Sequence, residues 1–342
     1  MTAEPTLMSL ELRQTPAVVA EMLQREAGAL AALGRSLRER GPAFVVTSAR
    51  GSSDNAVGFF KYLVEILVGL PVASMGPSVA SIYEANLRVR GALVLSVSQS
   101  GGSPDIVALQ RAARDGGALA VAVVNDAASP LAREADTVLP IGAGEERSVA
   151  ATKTCLASAV MLAALAAEWA DDEGLRQGLK RLPDAFSRAL ETNWDAALDL
   201  LVPARSCYLV GRGPAFPVAV EAALKLKETA VLHAEAFSAA EVMHGPLQLL
   251  TPDFPVIAFR PRDAAFGATG QAVERLRQAG GRVLVAEGGE GRDTLPVASS
   301  AHPLLDPLVM LLSFYDLAER VSRARGHDPD RPAHLAKVTR TV

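Results

Sequence analysis

Short apolar runs alternate with helical patterns along this chain, and the alternation itself repeats. Phe44-Val-Val-Thr-Ser-Ala-Arg50-Gly51 is a β-rich run ending in Arg-Gly, followed by a helical pattern over 55–67. About 162 residues later, Cys207-Tyr-Leu-Val-Gly-Arg212-Gly213 leads into a helical pattern over 218–231. The next unit recurs too. A strand over 92–97, a polar turn, a helix over 106–114, Gly116-Gly117 and a strand over 119–124 have a later counterpart. That counterpart is a strand over 254–259, a loop, a helix over 270–278, Gly280-Gly281 and a strand over 283–286. Runs this apolar, joined by helices, suit strands buried on both faces of a parallel sheet. The pattern predicts two tandem, doubly wound α/β domains from one duplicated ancestor, with limits at 1–185 and 186–342. Further helical segments are expected over 16–40 and 182–201, one ahead of each half, with the join in the polar stretch 183–193. After Gly326 the chain is Pro-rich, and a tail without regular structure is expected. Leu335 and Ala336 directly before Lys337 suit a tail that docks better than a free one.

Composition narrows the function classes. The 342 residues are 49% hydrophobic, enough for two cores, and the net charge of −4 comes with no basic stripe, so a nucleic-acid partner is not expected. Cys155 and Cys207 stand far apart in apolar surroundings, as small core residues of a protein suited to a reducing cytosol. The first residues carry Glu4, Glu11 and Arg13, which a signal peptide excludes. The longest apolar run, 155–167, is too short for a bilayer and stops at Glu168. A cytoplasmic location and no membrane contact are therefore expected.

Two kinds of candidate chemistry stand out. Glu221, Lys225 and Glu228 fall at i, i+4 and i+7 of the second helical pattern and share one helix face among Val218, Ala222 and Leu226. Read alone, this is an ordinary surface ladder. Read as buried, a carboxylate beside an ammonium is the material of a proton-transfer catalyst. The second kind is a pair of serine-rich loops at strand ends, where open parallel sheets bind ligands. One runs Ser48-Ala-Arg50-Gly51-Ser52-Ser53-Asp54-Asn55, the other Ser96-Val-Ser98-Gln99-Ser100-Gly101-Gly102-Ser103-Pro104-Asp105. Each opens a helix, whose unpaired N–H groups and dipole favour a phosphate. Helix capping is the competing explanation, but a cap needs one hydroxyl and these loops carry several. No G-x-G-x-x-G follows the first strand and no G-x-x-x-x-G-K-[ST] occurs, which argues against a dinucleotide or ATP. His233, His244, His302, His327 and His334 show no zinc spacing, so no metal is expected.

Taken in order, Gly51-Ser-Ser53, Ser98-Gln-Ser-Gly101, Glu146-Arg-Ser-Val-Ala-Ala-Thr152-Lys153, Ala223-Leu-Lys225-Leu-Lys-Glu228, His233-Ala-Glu-Ala, His244-Gly-Pro and His334-Leu-Ala-Lys337 resemble the isomerase half of the glutamine:fructose-6-phosphate amidotransferases. That half is built from two sugar-isomerase (SIS) domains, and the resemblance runs from Glu11 to Lys337. It implies that Ser98, Gln99, Ser100 and Ser103 hold a sugar phosphate, with Gly51, Ser53, Glu146 and Ala150 lining the same substrate site. It makes Glu228 the base that moves a proton between C1 and C2, assisted by Lys225. It makes His244, reaching over from a second subunit of a homodimer, the ring opener. Lys337 becomes a Schiff-base lysine on a tail that covers the active site. The sequence departs from the family at Gly102, Ser103, Ala151 and His334, which bears on the identity of the sugar. Thr2 stands where the family's glutaminase has a cysteine, so no glutamine-derived ammonia is expected.

The resulting expectation is an aminosugar-phosphate deaminase that converts glucosamine 6-phosphate and water into fructose 6-phosphate and ammonia, without a cofactor. A deglycase for a phosphorylated sugar–amino acid adduct, another phosphosugar isomerase (galactosamine- or tagatose-specific) and a non-catalytic sugar-phosphate sensor are the alternatives. The joint presence of Glu228, His244 and Lys337 speaks against the sensor.

Overall fold

The computed structural model describes residues 4–289 and 291–337. Its contacts divide the chain into two compact units that are not contiguous in sequence. One unit holds residues 17–146, 153–176 and Lys337; the other holds the residues up to Pro16, 147–152 and 177–336.

The first unit is built on five strands, β1 (Val45–Ser48), β2 (Val72–Ser74), β3 (Leu93–Ser98), β4 (Leu119–Val124) and β5 (Thr137–Pro140). They run parallel in the order β2-β1-β3-β4-β5. Every residue of the central β3 is buried, as the unbroken apolar run requires of a strand covered on both faces. The helices are α1 (Leu7–Arg40), which begins among residues of the other unit, α2 (Ser52–Leu67), α3 (Ser78–Ser81), α4 (Pro104–Asp115), α5 (Pro130–Arg133) and α6 (Lys153–Ala170). Helix α6 packs on α2 and buries nearly every side chain, which is why it shows no amphipathic stripe. Its helix is longer than the apolar run within it. At 18 residues it is long and apolar enough to cross a membrane, yet 89% of it is buried inside the protein, as in a core helix.

The second unit repeats the architecture. After α7 (Glu173–Ala189), which starts in the first unit, and α8 (Asp195–Leu201) come β6 (Ser206–Gly211), α9 (Ala215–Ala230), β7 (His233–Ser238), β8 (Phe254–Phe259), α10 (Phe266–Gln278), β9 (Gly281–Glu287), β10 (Thr294–Pro296) and α11 (Asp306–Ala324). The parallel order is β10-β9-β8-β6-β7. Taken by position within each repeat, both sheets have the same 2-1-3-4-5 order, as a duplication demands. Cys207 lies in the β6 core, where burial pushes its thiol up to about 12 and leaves it inert.

Two expectations need correcting. Helix α1 starts at Leu7 and not at Pro16, which lies inside it. The cause is long-range: the Asp330 carboxylate accepts hydrogen bonds from the Leu7 and Met8 amides at 2.7 and 2.8 Å, and so supplies the N-terminal cap. The segment expected as one helix over 182–201 is two, α7 and α8, separated by a turn that buries Trp194. The tail after Gly326 has no regular element, and Asp330 pins it in place.

Candidate active site

The two serine loops lie where β1 and β3 end and α2 and α4 begin, at the carboxyl edge of the first sheet. Gly51 caps α2 with a backbone of φ 56°, and no side chain caps that helix. Ser53 is half-buried in its first turn. In the second loop, the Ser98 hydroxyl accepts from the Gly101 amide at 3.1 Å and the Ser100 hydroxyl from the Gly102 amide at 3.3 Å. These bonds curl the loop. Ser103 occupies the cap position of α4, yet its hydroxyl makes no capping bond. Capping alone therefore does not account for this serine. Gln99 and Ser100 remain partly accessible, and the Gln99 carbonyl ties the loop to the Asn125 amide. Arg50 joins the two loops by pairing with the fully buried Asp105 at the start of α4. Neither Arg50 nor Asp105 stands out in sequence, because their partnership spans 55 positions. Burial pushes the Asp54 carboxyl up against the pull of Arg50.

In the second unit, α9 carries the charged face that the i, i+4, i+7 spacing predicts, and it is buried. Lys225 is 0% exposed and Glu221 1% exposed, so this is not a surface ladder. The Lys225 ammonium lies 3.4 Å from Glu221 Oε1 and donates to Glu228 Oε2. Glu228 keeps 22% of its side chain exposed. One carboxylate is thus sealed in, while the other stays reachable and is oriented by a fixed cation. Tyr315 on α11 donates its hydroxyl to Glu221 Oε1 at 2.8 Å. Helix α11 also secures the end of α9, since Ser322 Oγ donates to the Thr229 carbonyl at 2.7 Å and Arg325 Nε to that of Ala230 at 2.9 Å. Those carbonyls belong to the last turn, which lacks helical partners of its own. Glu228 lines a cavity of about 570 Å³ with Lys227, His327, Asp328, Arg331 and His334.

Two further expected site residues meet in the first unit. Lys337 Nζ donates to Glu146 Oε2 at 2.9 Å, while the Thr154 hydroxyl donates to the same oxygen at 2.7 Å and the Thr154 amide to Oε1 at 3.0 Å. Burial pushes the Glu146 carboxyl up, but the Lys337 charge and the Thr154 donors outweigh it and hold the group below its ordinary range. Ala150 is buried in the segment between Glu146 and α6. His244 ends a short 3₁₀ turn and is exposed. Among the described residues, no side-chain hydrogen bond joins His244 to Glu228, nor does any group of three His, Cys, Asp or Glu side chains offer a metal site.

The two parallel α/β sheets agree with the fold of known proteins. The SIS domain profile matches residues 43–168 and 200–286. The glutamine–fructose-6-phosphate aminotransferase (isomerizing) of Zymomonas mobilis is 34% identical over 311 residues, covering 86% of this chain and 51% of that protein. The chain thus spans about half the length of the curated relatives it matches. Among solved structures, a Silicibacter pomeroyi protein, itself only provisionally described as a phosphosugar isomerase, superposes with a TM-score of 0.90 at 44% identity, over 95% of this chain and 100% of that one. The C-terminal domain of glucosamine-fructose-6-phosphate aminotransferase from Francisella tularensis follows with a TM-score of 0.84 at 25% identity, over 96% and 99%. This chain belongs to the SIS domain family.

Proposed function

We propose that the protein is a phosphosugar aldose–ketose isomerase that acts as an aminosugar-phosphate deaminase, turning glucosamine 6-phosphate and water into fructose 6-phosphate and ammonia. The observation that carries this reading is the Glu221–Lys225–Glu228 set. A partly exposed carboxylate held beside a buried ammonium is suited to take a proton from carbon, and burying Glu221 and Lys225 on the same helix is costly unless the pair serves such a role. Family membership supports the substrate class, and the Ser103 hydroxyl left over from capping supports a phosphate at the serine loop.

The chemistry follows in order. His244, contributed by the second subunit of a homodimer, assists opening of the sugar ring. Glu228 takes the proton from C2 of the open-chain aldehyde and returns it at C1, so that C2 becomes an imine and C1 a hydroxymethyl group. Water adds to the imine carbon and ammonia leaves, either directly or after exchange onto Lys337. The second route requires Lys337 to leave Glu146 and give up a proton to solvent, because an ammonium is not a nucleophile. Deamination needs only the sugar phosphate and water, so it calls on no chemistry outside the half that the relatives share.

One observation favours a second reading. Glu228 shares its cavity with Asp328 and with two cations, Lys227 and Arg331, which suit an additional anionic group such as the carboxylate of a phosphorylated sugar–amino acid adduct. Incubating the protein with glucosamine 6-phosphate and, in parallel, with fructosyl-amino-acid 6-phosphates separates the two. Ammonia and fructose 6-phosphate in equal amounts from the first establish the deaminase. Amine release from the adducts alone moves the protein to the deglycases, and silence everywhere removes catalysis. Glu228→Gln is expected to lose about 10²–10⁴-fold in kcat, the contribution typical of a general base, and near-wild-type turnover would remove Glu228 from that role.

A further inference from the structure

The two serine loops, 48–55 and 96–105, hold one cationic side chain between them, Arg50, and two carboxylates, Asp54 and Asp105. Asp54 stands in the first turn of α2, and Asp105 is 0% exposed in the first turn of α4. Those turns are where a phosphate is expected, and two carboxylates there repel it. Arg50 Nη2 donates to Asp105 Oδ2 at 2.5 Å, which carries the guanidinium from the first loop to the turn that Ser103 opens. Half of the Arg50 side chain is nevertheless exposed, against none of Asp105. A guanidinium carries five N–H donors in a rigid fork, so it can hold a buried carboxylate with one edge and an oxyanion with another.

We propose that Arg50 binds the substrate phosphate: Asp105 anchors its guanidinium, and the exposed part meets the anion that the serine loops hold. This rests on the reading of those loops as the phosphate site. Ser98, Gln99, Ser100 and Ser103 offer hydrogen bonds but no net charge, and the nearby carboxylates work against a phosphate. Arg50 offsets one of those charges and adds a charged donor that a phosphorylated sugar can use and an unphosphorylated one cannot. It takes no part in the proton transfer. Its loss therefore falls on Kd and KM, with kcat nearly constant.

The competing account makes Arg50 a tie between the loops and nothing more, since its partner lies 55 positions away. The two accounts rank variants differently. Arg50→Gln keeps an N–H for Asp105 and loses the charge, whereas Arg50→Lys keeps the charge and loses the planar fork. A tie is served by either replacement; a charge contact to phosphate is served by lysine alone. Salt separates them again. An exposed charge contact is screened, but a loop loosened by a lost tie binds more weakly to the same extent at every salt concentration.

The test is calorimetric titration of the full-length chain with glucosamine 6-phosphate and with inorganic phosphate, at low and at high NaCl. Arg50, Arg50→Lys and Arg50→Gln are compared in the Glu228→Gln background, where turnover does not consume the ligand. Arg50→Gln is expected to bind both probes about 10–100-fold more weakly at low salt, the worth of a hydrogen bond to a charged group, and Arg50→Lys to recover most of that. NaCl is expected to weaken binding more in the two charged forms than in Arg50→Gln. Equal recovery by lysine and glutamine, or a loss in Arg50→Gln that is the same at both salt concentrations, would overturn the proposal. So would a chain with Arg50 intact that binds neither probe. If Arg50→Gln fails to fold, Arg50→Lys decides: a loss as large as tenfold, or a flattened response to NaCl, refutes the charge contact. Arg50-dependent binding without turnover by the unsubstituted protein counts against the proposed reaction and leaves Arg50 in its role. Turnover together with binding that ignores Arg50 does the reverse.

Discussion

Gly101 is the residue on which the serine loop turns. Its φ of +59° belongs to the left-handed region, and a Cβ there would lie 2.2 Å from Ser129 Oγ and 2.5 Å from Ser129 Cβ. Any side chain thus brings both backbone strain and a clash beneath the loop, whose curl depends on the Gly101 amide bonding Ser98 Oγ. Gly101→Ala is expected to destabilise the protein by about 2–5 kcal/mol, the sum of a left-handed alanine and an overpacked contact. Denaturant unfolding checks the stability and phosphosugar titration checks the loop. An unchanged midpoint with unchanged affinity would mean that the loop gives way without cost. Much of the chemistry at this scale is legible locally. The spacing of Glu221, Lys225 and Glu228 places them on one face without any structure. What spacing does not reveal is whether that face is sealed, because the lid is Tyr315, 94 positions away. Arg50 and Asp105 stay hidden for the same reason.

Helices carry a similar lesson about their ends. Apolar periodicity locates α2, α4, α9 and α10 to within a few residues, because their buried faces are written in the local sequence. The start of α1 is not. Proline is favoured in a first turn, so Pro16 reads as a beginning, whereas the helix extends two and a half turns ahead of it. Those turns exist because Asp330 bonds two of the orphaned amides and sets a negative charge at the positive end of the dipole. The same residue holds the tail: its carbonyl accepts from the Val149 amide at 3.3 Å. Asp330→Ala is expected to cost about 1–2 kcal/mol and to expose residues 7–15 to amide exchange ahead of the rest of α1. Asp330→Asn, which retains an acceptor oxygen but not the charge, should recover part of the loss. Equal exchange along α1 in wild type and Asp330→Ala would show that the cap does not hold the first turns.

At the scale of the whole molecule, two sheets of one topology do not imply two sites. The internal repeat is legible because both halves keep the same apolar strands and Gly-Gly turns, while the short strands β2, β5 and β10 carry too few residues to announce themselves. The halves diverge at the strand ends. After β3 the first unit places four hydroxyl or amide side chains, Ser98, Gln99, Ser100 and Ser103, ahead of α4. After β8, at the equivalent point, the second unit places Arg260 and Arg262. Arg260 is committed there: it pairs with Glu287 at 2.9 Å, donates to the Phe266 carbonyl at 3.0 Å and stacks 3.6 Å from the Phe266 ring centre. Arg262 covers Gly288 closely enough that a Cβ there would lie 2.3 Å from its guanidinium. The space left beside them is about 20 Å³, room for a water molecule and not for a phosphate. The edge of the second sheet after β8 is thus occupied by its own cations, and under the proposed function that unit contributes Glu228 and no phosphate site. One phosphosugar per chain is therefore the expected stoichiometry in calorimetric titration of Glu228→Gln, where turnover does not consume the ligand. Ser100→Ala in the same background should weaken that single event. Two equivalents per chain, with one surviving the loss of the Ser100 hydroxyl, would mean that the arginines of the second sheet move aside and that the duplicated edge still binds.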